Sequence, residues 1–251
     1  MRPLFYYAAP GEICLSTSIE TLLARGAPTE LDVEALAVLL RLNWFLAEDT
    51  PFKAIRIVPP AARFHWDGAL RLGSALHIVP ANGLSRDDAI DGFIARFRRA
   101  VERSYADGGL LPLSGGRDSR HILFELCRIG RPRLCITVKD PPPWPNPSEN
   151  TLYSRQLTAM FGLEHAVLDY VPDIVSAEWR KNVLTSLCTI EHAWYMAVHD
   201  RLANEQGRVF DGLAGDYLSA GGGLDQKGPE LLREGRIDDL ATHLLTRRGM
   251  P

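Results

Sequence analysis

One stretch constrains the fold more than any other. Leu110-Leu111-Pro112-Leu113 is a short apolar run, Ser114-Gly115-Gly116-Arg117-Asp118-Ser119 follows it, and Ile122, Leu123 and Leu126 then recur at helical spacing. This reads as a strand, a glycine turn and a helix N-terminus. Gly115 and Gly116 lack Cβ atoms, so the backbone there turns sharply and lets an anion approach. A helix beginning at Arg117 to Arg120 presents free N–H groups carrying about half a positive charge. Together these features suit a pyrophosphate group. The Ser114 and Ser119 hydroxyls are candidate donors to phosphate oxygens. Asp118 would repel bare phosphate, so its sensible partner is Mg²⁺ held against the phosphate. The same letters also spell an ordinary strand–turn–helix connection with an Asp/Ser cap. The apolar strand before, both serines and the helix after favour the cradle.

The surrounding pattern is of the same kind. Leu134–Val138 and Ala166–Leu168 read as buried strands with a helix over Leu152–Phe161 between them. A helix around residues 190–206 leads to a strand over Arg208–Asp211. Ser85 with Asp88 begins a helix that carries Ile90, Phe93, Ile94, Phe97 and Val101 on one face. Strands alternating with helices predict an α/β fold, a parallel sheet with helices on both faces. Pro112 has no N–H, so its strand is expected to end early or to pair on one side only there.

Residues 1–80 follow another pattern. Leu4–Tyr7 and Ile13–Ser16 read as paired strands around Pro10-Gly11, and Thr17 with Glu20 has capping-box spacing for a short helix through Leu23. Asp32 caps a second helix with Leu36, Leu39, Leu40 and Leu42 on a broad face. Asp67-Gly68 lies between Ala62–Trp66 and Ala69–Leu72, a strong hairpin signal. A partial antiparallel β segment with an exposed sheet edge is expected over 1–80, followed by an α/β domain over 81–251.

Charge and composition narrow the function. The net charge is −3, which gives no nucleic-acid footprint. No apolar run approaches the ~20 residues of a membrane span. Cys14, Cys127, Cys135 and Cys188 have no ligand spacing and read as reduced thiols of a cytoplasmic protein. There is no Walker lysine loop, G-x-G-x-x-G or H-E-x-x-H. His192 and His199 are two helical turns apart, too far for one metal ion, and His121 reads as a helix-surface residue. Arg117 and Arg120 flank the cradle and suit a phosphate, a substrate carboxylate or plain solvent. Trp144, in the proline-rich loop over 140–148, suits either a cover for the nucleotide or a loop anchor.

The Leu113–Ser119 stretch resembles the L-S-G-G-x-D-S phosphate loop of the asparagine synthetase family, which includes β-lactam synthetase and lasso-peptide cyclases, with Arg117 at the variable position. Arg2-Pro3-Leu4-Phe5-Tyr6-Tyr7 and Ser16-Thr17-Ser18-Ile19-Glu20 are similar to the late part of the family's glutaminase domain. Leu31-Asp32, Leu36, Phe52, Ile55 and Pro59-Pro60 are similar to the passage before its synthetase domain. The segment Arg208–Leu218 is similar to the second motif, V-L-S-G-x-G-x-D-E-L. The resemblance implies an adenine nucleotide α-hydrolase-like (PP-loop) domain over 81–251 and a glutamine amidotransferase-like remnant over 1–80. It implies ATP and Mg²⁺ as cofactors. Ser114, Gly115, Gly116, Arg117, Asp118, Ser119 and Gly212 would bind the nucleotide phosphates. Thr137 and Val138 would lie against adenine through backbone atoms, and Asp118 and Asp216 would hold the metal. The implied reaction is ATP-dependent amide formation: a small-molecule carboxylate is adenylated, pyrophosphate leaves, and an amine attacks the acyl-adenylate.

The resemblance has three departures. Residue 2 is Arg2 and Cys14 falls inside a strand pattern, so the family's N-terminal cysteine nucleophile is missing and no glutamine hydrolysis is expected. Leu213 and Tyr217 stand where the second motif has acidic residues, and Ala214 replaces a glycine, while Asp216 survives. Only 35 residues follow Asp216, and Lys227 is too close to it to match the family's catalytic lysine, so a C-terminal truncation is expected and no catalytic side chain is assigned. Two functional expectations follow. One is an amide ligase of asparagine synthetase type, or a natural-product ligase like the lasso cyclases and β-lactam synthetase. The other is a non-catalytic nucleotide-binding remnant or subunit of a split enzyme, with a glutaminase or C-terminal chain as partner.

Overall fold

The computed structural model describes residues 3–74, 83–105, 108–141, 147–187, 190, 192–213, 215 and 227–247. The protein is α/β, with a three-stranded parallel sheet flanked by helices and two small antiparallel sheets. It divides into two compact units, Met1–Arg86 with Val171–Met196, and Asp87–Tyr170 with Ala197–Pro251.

The first unit holds both antiparallel sheets. Strands β1 (Phe5–Ala9) and β2 (Glu12–Ser16) pair around a turn in which Gly11 has φ 77°. Strand β3 (Ile55–Ile57) pairs on the other side of β1, giving the order β2-β1-β3. Among the described residues, β2 and β3 each pair on one side only. Helix α1 (Ile19–Ala24) buries Ile19 and Leu22 with Phe5, Ala27 and Ile55. Its cap is Ser18, whose hydroxyl accepts the Thr21 N–H at 3.4 Å, one residue later than the Thr17–Glu20 spacing suggests. Asp32 caps helix α2 (Val33–Leu42) as expected, but Ala35 and Leu39 are its buried residues and Leu40 faces solvent. Strands β4 (Ala62–Trp66) and β5 (Leu70–Ser74) form the expected hairpin, closed by Asp67, Gly68 and Ala69 with Gly68 at φ 99°. The Phe64 ring meets Tyr6 edge-on at 5.6 Å.

The second unit contains the parallel sheet. Helix α3 (Arg86–Ser104) runs ahead of strand β6 (Leu110–Pro112), helix α4 (Arg117–Ile129) leads to strand β7 (Leu134–Val138), and helix α5 (Glu149–Phe161) leads to strand β8 (His165–Leu168). The strand order is β6-β7-β8. Leu111, Leu113 and Cys135 pack with Val101, Ile122, Leu123, Leu126 and Phe210 in one core. The alternate positions of the same strands, Leu110, Leu134 and Ile136, are only 1%, 3% and 1% exposed. Both faces of these strands are therefore buried, as parallel strands require.

Four elements differ from the sequence reading or were absent from it. The expected strand over Arg208–Asp211 reduces to one parallel bridge, Val209 to Leu110. The Leu110 N–H donates to the Arg208 carbonyl and the Phe210 N–H to the Leu110 carbonyl, each at 2.8 Å. By ladder alternation the next donor toward that side would be residue 112. It is Pro112, so the ladder stops there, while on the β7 side Pro112 stays in register with Ile136. Of the expected apolar face of α3, Val101 is buried and Phe97 partly so, but Ile90, Phe93 and Ile94 remain exposed. Helix α6 (Ile174–Thr185) carries no inward apolar stripe: its buried residues are Ala177 and Lys181, while Val175, Trp179 and Val183 face outward. Its start is fixed by Asp173, whose carboxylate accepts the Val175 and Ser176 N–H groups at 3.1 and 3.0 Å. Helix α7 covers Tyr195–Leu202, shorter than the 190–206 expected.

Candidate functional site

The last ladder bond of β6 is the Leu113 N–H to the Ile136 carbonyl at 2.7 Å. The Leu113 carbonyl does not continue the ladder, because the buried Thr137 hydroxyl donates to it at 2.7 Å. β6 and β7 thus part at Leu113 and Val138, and the glycine loop starts where they diverge.

Side chains hold the loop together. The Ser114 N–H donates to Ser119 Oγ at 3.1 Å, and the two serine hydroxyls lie 3.1 Å apart. The Gly116 N–H donates to Ser114 Oγ at 3.1 Å. Ser119 is 6% exposed, and its hydroxyl also reaches the Ser114 and Gly116 carbonyls at 3.3 and 3.4 Å. The two serines therefore act first as an internal brace of the turn. The Gly115 N–H donates to Asn150 Oδ1, in the first turn of α5, at 3.1 Å. Neither glycine has positive φ. Gly115 is needed for close approach: a Cβ there would meet Tyr153 Cδ2 at 3.0 Å and Asn150 Oδ1 at 3.2 Å.

Gly116 is the N-cap of α4, with φ −68° and ψ 157°, and it supplies no side-chain acceptor. Helices α1, α2, α5 and α6 are each capped by a side chain: Ser18, Asp32, Ser148 and Asp173. The first-turn donors of α4 have no intrahelical partner and carry the positive end of the helix dipole. Arg117 faces solvent, and Arg120 Nε folds back to the Gly116 carbonyl at 3.2 Å.

The second motif lies against this helix start. A Cβ on Gly212 would stand 2.8 Å from the Ser119 nitrogen and 3.1 Å from the Asp118 carbonyl carbon. A Cβ on Gly215 would stand 2.7 Å from Asp118 Cγ. The segment is shaped by an Asx turn, Leu213 N–H to Asp211 Oδ1 at 2.9 Å, and by a turn bond from the Gly215 N–H to the Gly212 carbonyl at 3.1 Å. Two stretches nearly a hundred residues apart in sequence thus meet at Asp118, which is half-buried between them. Asp216, Ala214, Tyr217, Trp144 and Cys188 lie outside the described residues.

Beneath the loop runs a buried polar network absent from the sequence reading. Thr137 gives its proton to Leu113, so its oxygen accepts from His165 Nε2 at 2.9 Å, and His165 Nδ1 faces the Thr158 hydroxyl at 3.2 Å. The Thr158 hydroxyl in turn donates to the Ser154 carbonyl at 2.9 Å, so each ring nitrogen faces a hydroxyl oxygen. Burial, and to a smaller extent the nearby Arg155 charge, hold the His165 pKa below its ordinary value. Ser148, Thr151, Ser154 and Thr158 form the buried face of α5, while Leu152, Tyr153 and Met160 face outward, the reverse of an ordinary amphipathic pattern. Asn150 Nδ2 reaches back to the Asp140 carboxylate at 3.4 Å.

Among the described residues no three His, Cys, Asp or Glu side chains gather to hold a metal ion. Mg²⁺ in phosphate sites takes one or two carboxylates and completes its shell with phosphate oxygens and water. Asp118 is a single carboxylate of that kind, half-buried beside the helix start. His199 instead faces its neighbour Asp200 at 3.2 Å. Cys14, Cys127 and Cys135 are free thiols, and burial pushes the Cys135 pKa up to about 12. No helix among the described residues is long and apolar enough to cross a membrane. No protein-family model matches this chain, and no curated protein sequence matches it.

Proposed function

We propose that this protein is an ATP-dependent amide-forming ligase of asparagine synthetase type. The observation that carries the reading is the meeting of two motifs: a glycine loop leading into a helix without a side-chain cap, and the Gly212–Gly215 turn closing on Asp118. In this reading 81–251 is a PP-loop domain with helices on both sheet faces, 1–80 is a glutaminase-like remnant, and the protein works in the cytoplasm. The N–H groups of Arg117 and Asp118 receive the pyrophosphate oxygens of ATP. Thr137 and Val138, at the end of β7 where β6 has turned away, lie against adenine. Asp118, with Asp216, holds Mg²⁺, which when bound neutralises charge on the departing pyrophosphate. The substrate carboxylate forms a bond to the α-phosphorus as the bond to pyrophosphate breaks, and an amine then displaces AMP. The chain's own contribution is fixed dipoles aimed at the leaving group. The lasso cyclases and β-lactam synthetase set the range of carboxylates to try.

The test is pyrophosphate release by purified protein given ATP, Mg²⁺ and a panel of carboxylates that includes aspartate. Release is expected, and Asp118→Asn should lower it about a hundredfold, the scale of losing several kcal/mol of charge stabilisation. No release with any carboxylate, or an unaffected Asp118→Asn protein, defeats the ligase reading. A second reading has its own observation: Leu213, 60% exposed, stands where the family's motif is acidic. It is a nucleotide-binding subunit that turns over only with a partner chain, and it predicts ATP binding without release until a second polypeptide is added.

A further inference from the structure

We infer that Asn150 is a built-in occupant of the glycine loop, holding the Gly115 amide until an anion displaces it. The inference rests on the nucleotide reading above and concerns how that site is kept closed. The Gly115 N–H is a donor that the cradle would offer to a phosphate oxygen, and in this structure it is bound to Asn150 Oδ1 at 3.1 Å. The orientation of that amide is set from both ends. Gly115 requires an acceptor, and the Asp140 carboxylate, 3.4 Å from Nδ2, requires a donor. Oδ1 therefore faces the loop, a neutral oxygen where an anionic one would stand.

The geometry makes the two occupants exclusive. Gly115 is packed so closely on α5 that a Cβ would be 3.3 Å from Asn150 Cα. There is no room for a phosphate oxygen and the Asn150 side chain on the same donor. The adjacent Gly116 N–H is held in the same way by Ser114 Oγ at 3.1 Å, but from within the loop itself. Asn150 differs because it comes from the next helix, so releasing it costs the α5 contact and leaves Ser114 and Ser119 bracing the turn. An anion has to exchange one neutral hydrogen bond for a charge-assisted one, which is favourable but smaller than filling a vacant donor.

The test uses the whole chain and two readouts. Hydrogen exchange at the Gly115 amide reads the bond directly, and calorimetric titration with inorganic pyrophosphate and with ATP–Mg²⁺ reads the competition. Asn150→Ala should speed Gly115 exchange at least about tenfold and tighten pyrophosphate binding by about three- to tenfold, the range of one released hydrogen bond. Asn150→Asp keeps the size of the side chain but places a negative charge on the donor, and should weaken binding. Equal Gly115 exchange in the wild-type and Asn150→Ala proteins, or pyrophosphate binding no tighter in Asn150→Ala, overturns the inference. If the exchange contrast holds but neither protein takes up pyrophosphate or ATP, the nucleotide reading is what fails, and the competition falls with it.

Discussion

Helices α4 and α5 follow successive strands of one sheet, yet their beginnings are opposites. α5 starts after a long connection, and its first turn is closed by its own side chains: the Ser148 hydroxyl accepts the Thr151 N–H at 3.4 Å and faces the Thr151 hydroxyl at 3.3 Å, all buried. α4 starts four residues after its strand on a glycine, with no side-chain acceptor and with two further glycines from another part of the chain pressed against it. A helix start that satisfies its own donors is a stability device. One that leaves them for something else gives up about 1 kcal/mol, and such a loss persists in a protein when a ligand makes it good.

This contrast can be broken from either side. The largest effect is expected from Gly116→Asp, which gives α4 the cap that its neighbours have. The φ of −68° accepts any residue, and the nearest obstacle to a Cβ is the rotatable Ser114 hydroxyl at 3.0 Å. The melting temperature should hold or rise slightly, while ATP binding falls by about tenfold or more, because the new carboxylate takes the donors and repels the phosphates. Unchanged ATP affinity would show that α4 has no special role. Gly215→Ala comes next. Its Cβ would overlap Asp118 Cγ at 2.7 Å, so chemical denaturation should show a loss of about 1–3 kcal/mol and turnover should drop with it. Ser148→Ala is the control at the other helix: about 1 kcal/mol of stability lost on denaturation, with ATP affinity unmoved.

The smallest effect concerns pH. His165 has its pKa lowered in the folded state, so the unfolded chain binds more protons below pH ~6.5, the ordinary histidine value. Stability is fully present above that pH and is lost as pH falls toward the folded-state pKa, because burial disfavours the charged ring. Melting curves between pH 7.5 and 5.0 should show this slope in the wild-type protein and less of it in His165→Gln. Identical slopes would remove His165 from the support of Leu113.

Much of the second unit was legible because single residues decided it. The bounds of β7 follow from a mostly apolar run, broken only by Thr137 and bracketed by Arg133 and Lys139, and α4 from Ile122, Leu123 and Leu126, all buried. Asp32 and the Asp67-Gly68 turn were readable because a cap and a hairpin are local chemistry. What failed was whatever depends on a distant partner. Leu40 and Ile90 have the right spacing, but spacing cannot tell which turn of a helix a neighbour covers. α6 was invisible because its buried pair, Ala177 and Lys181, is not an apolar stripe. In the candidate site, Ser119 reads as a phosphate donor until Ser114 is seen to engage its oxygen. Asn150 and His165 gave no signal, since one acts on a residue 35 positions away and the other on one 28 positions away.

Pro112 has an effect out of proportion to its size. An imino acid at that rung cannot extend the seam between β6 and the segment through Val209, so the two chains fork there. The fork frees the backbone from Asp211 onward to swing across the sheet end, which is what carries Gly212 to the head of α4. The meeting of Gly212 with the head of α4 thus turns on a missing proton on one ring nitrogen, and restoring a donor at that rung would let the seam zip onward and draw the crossing segment off its helix.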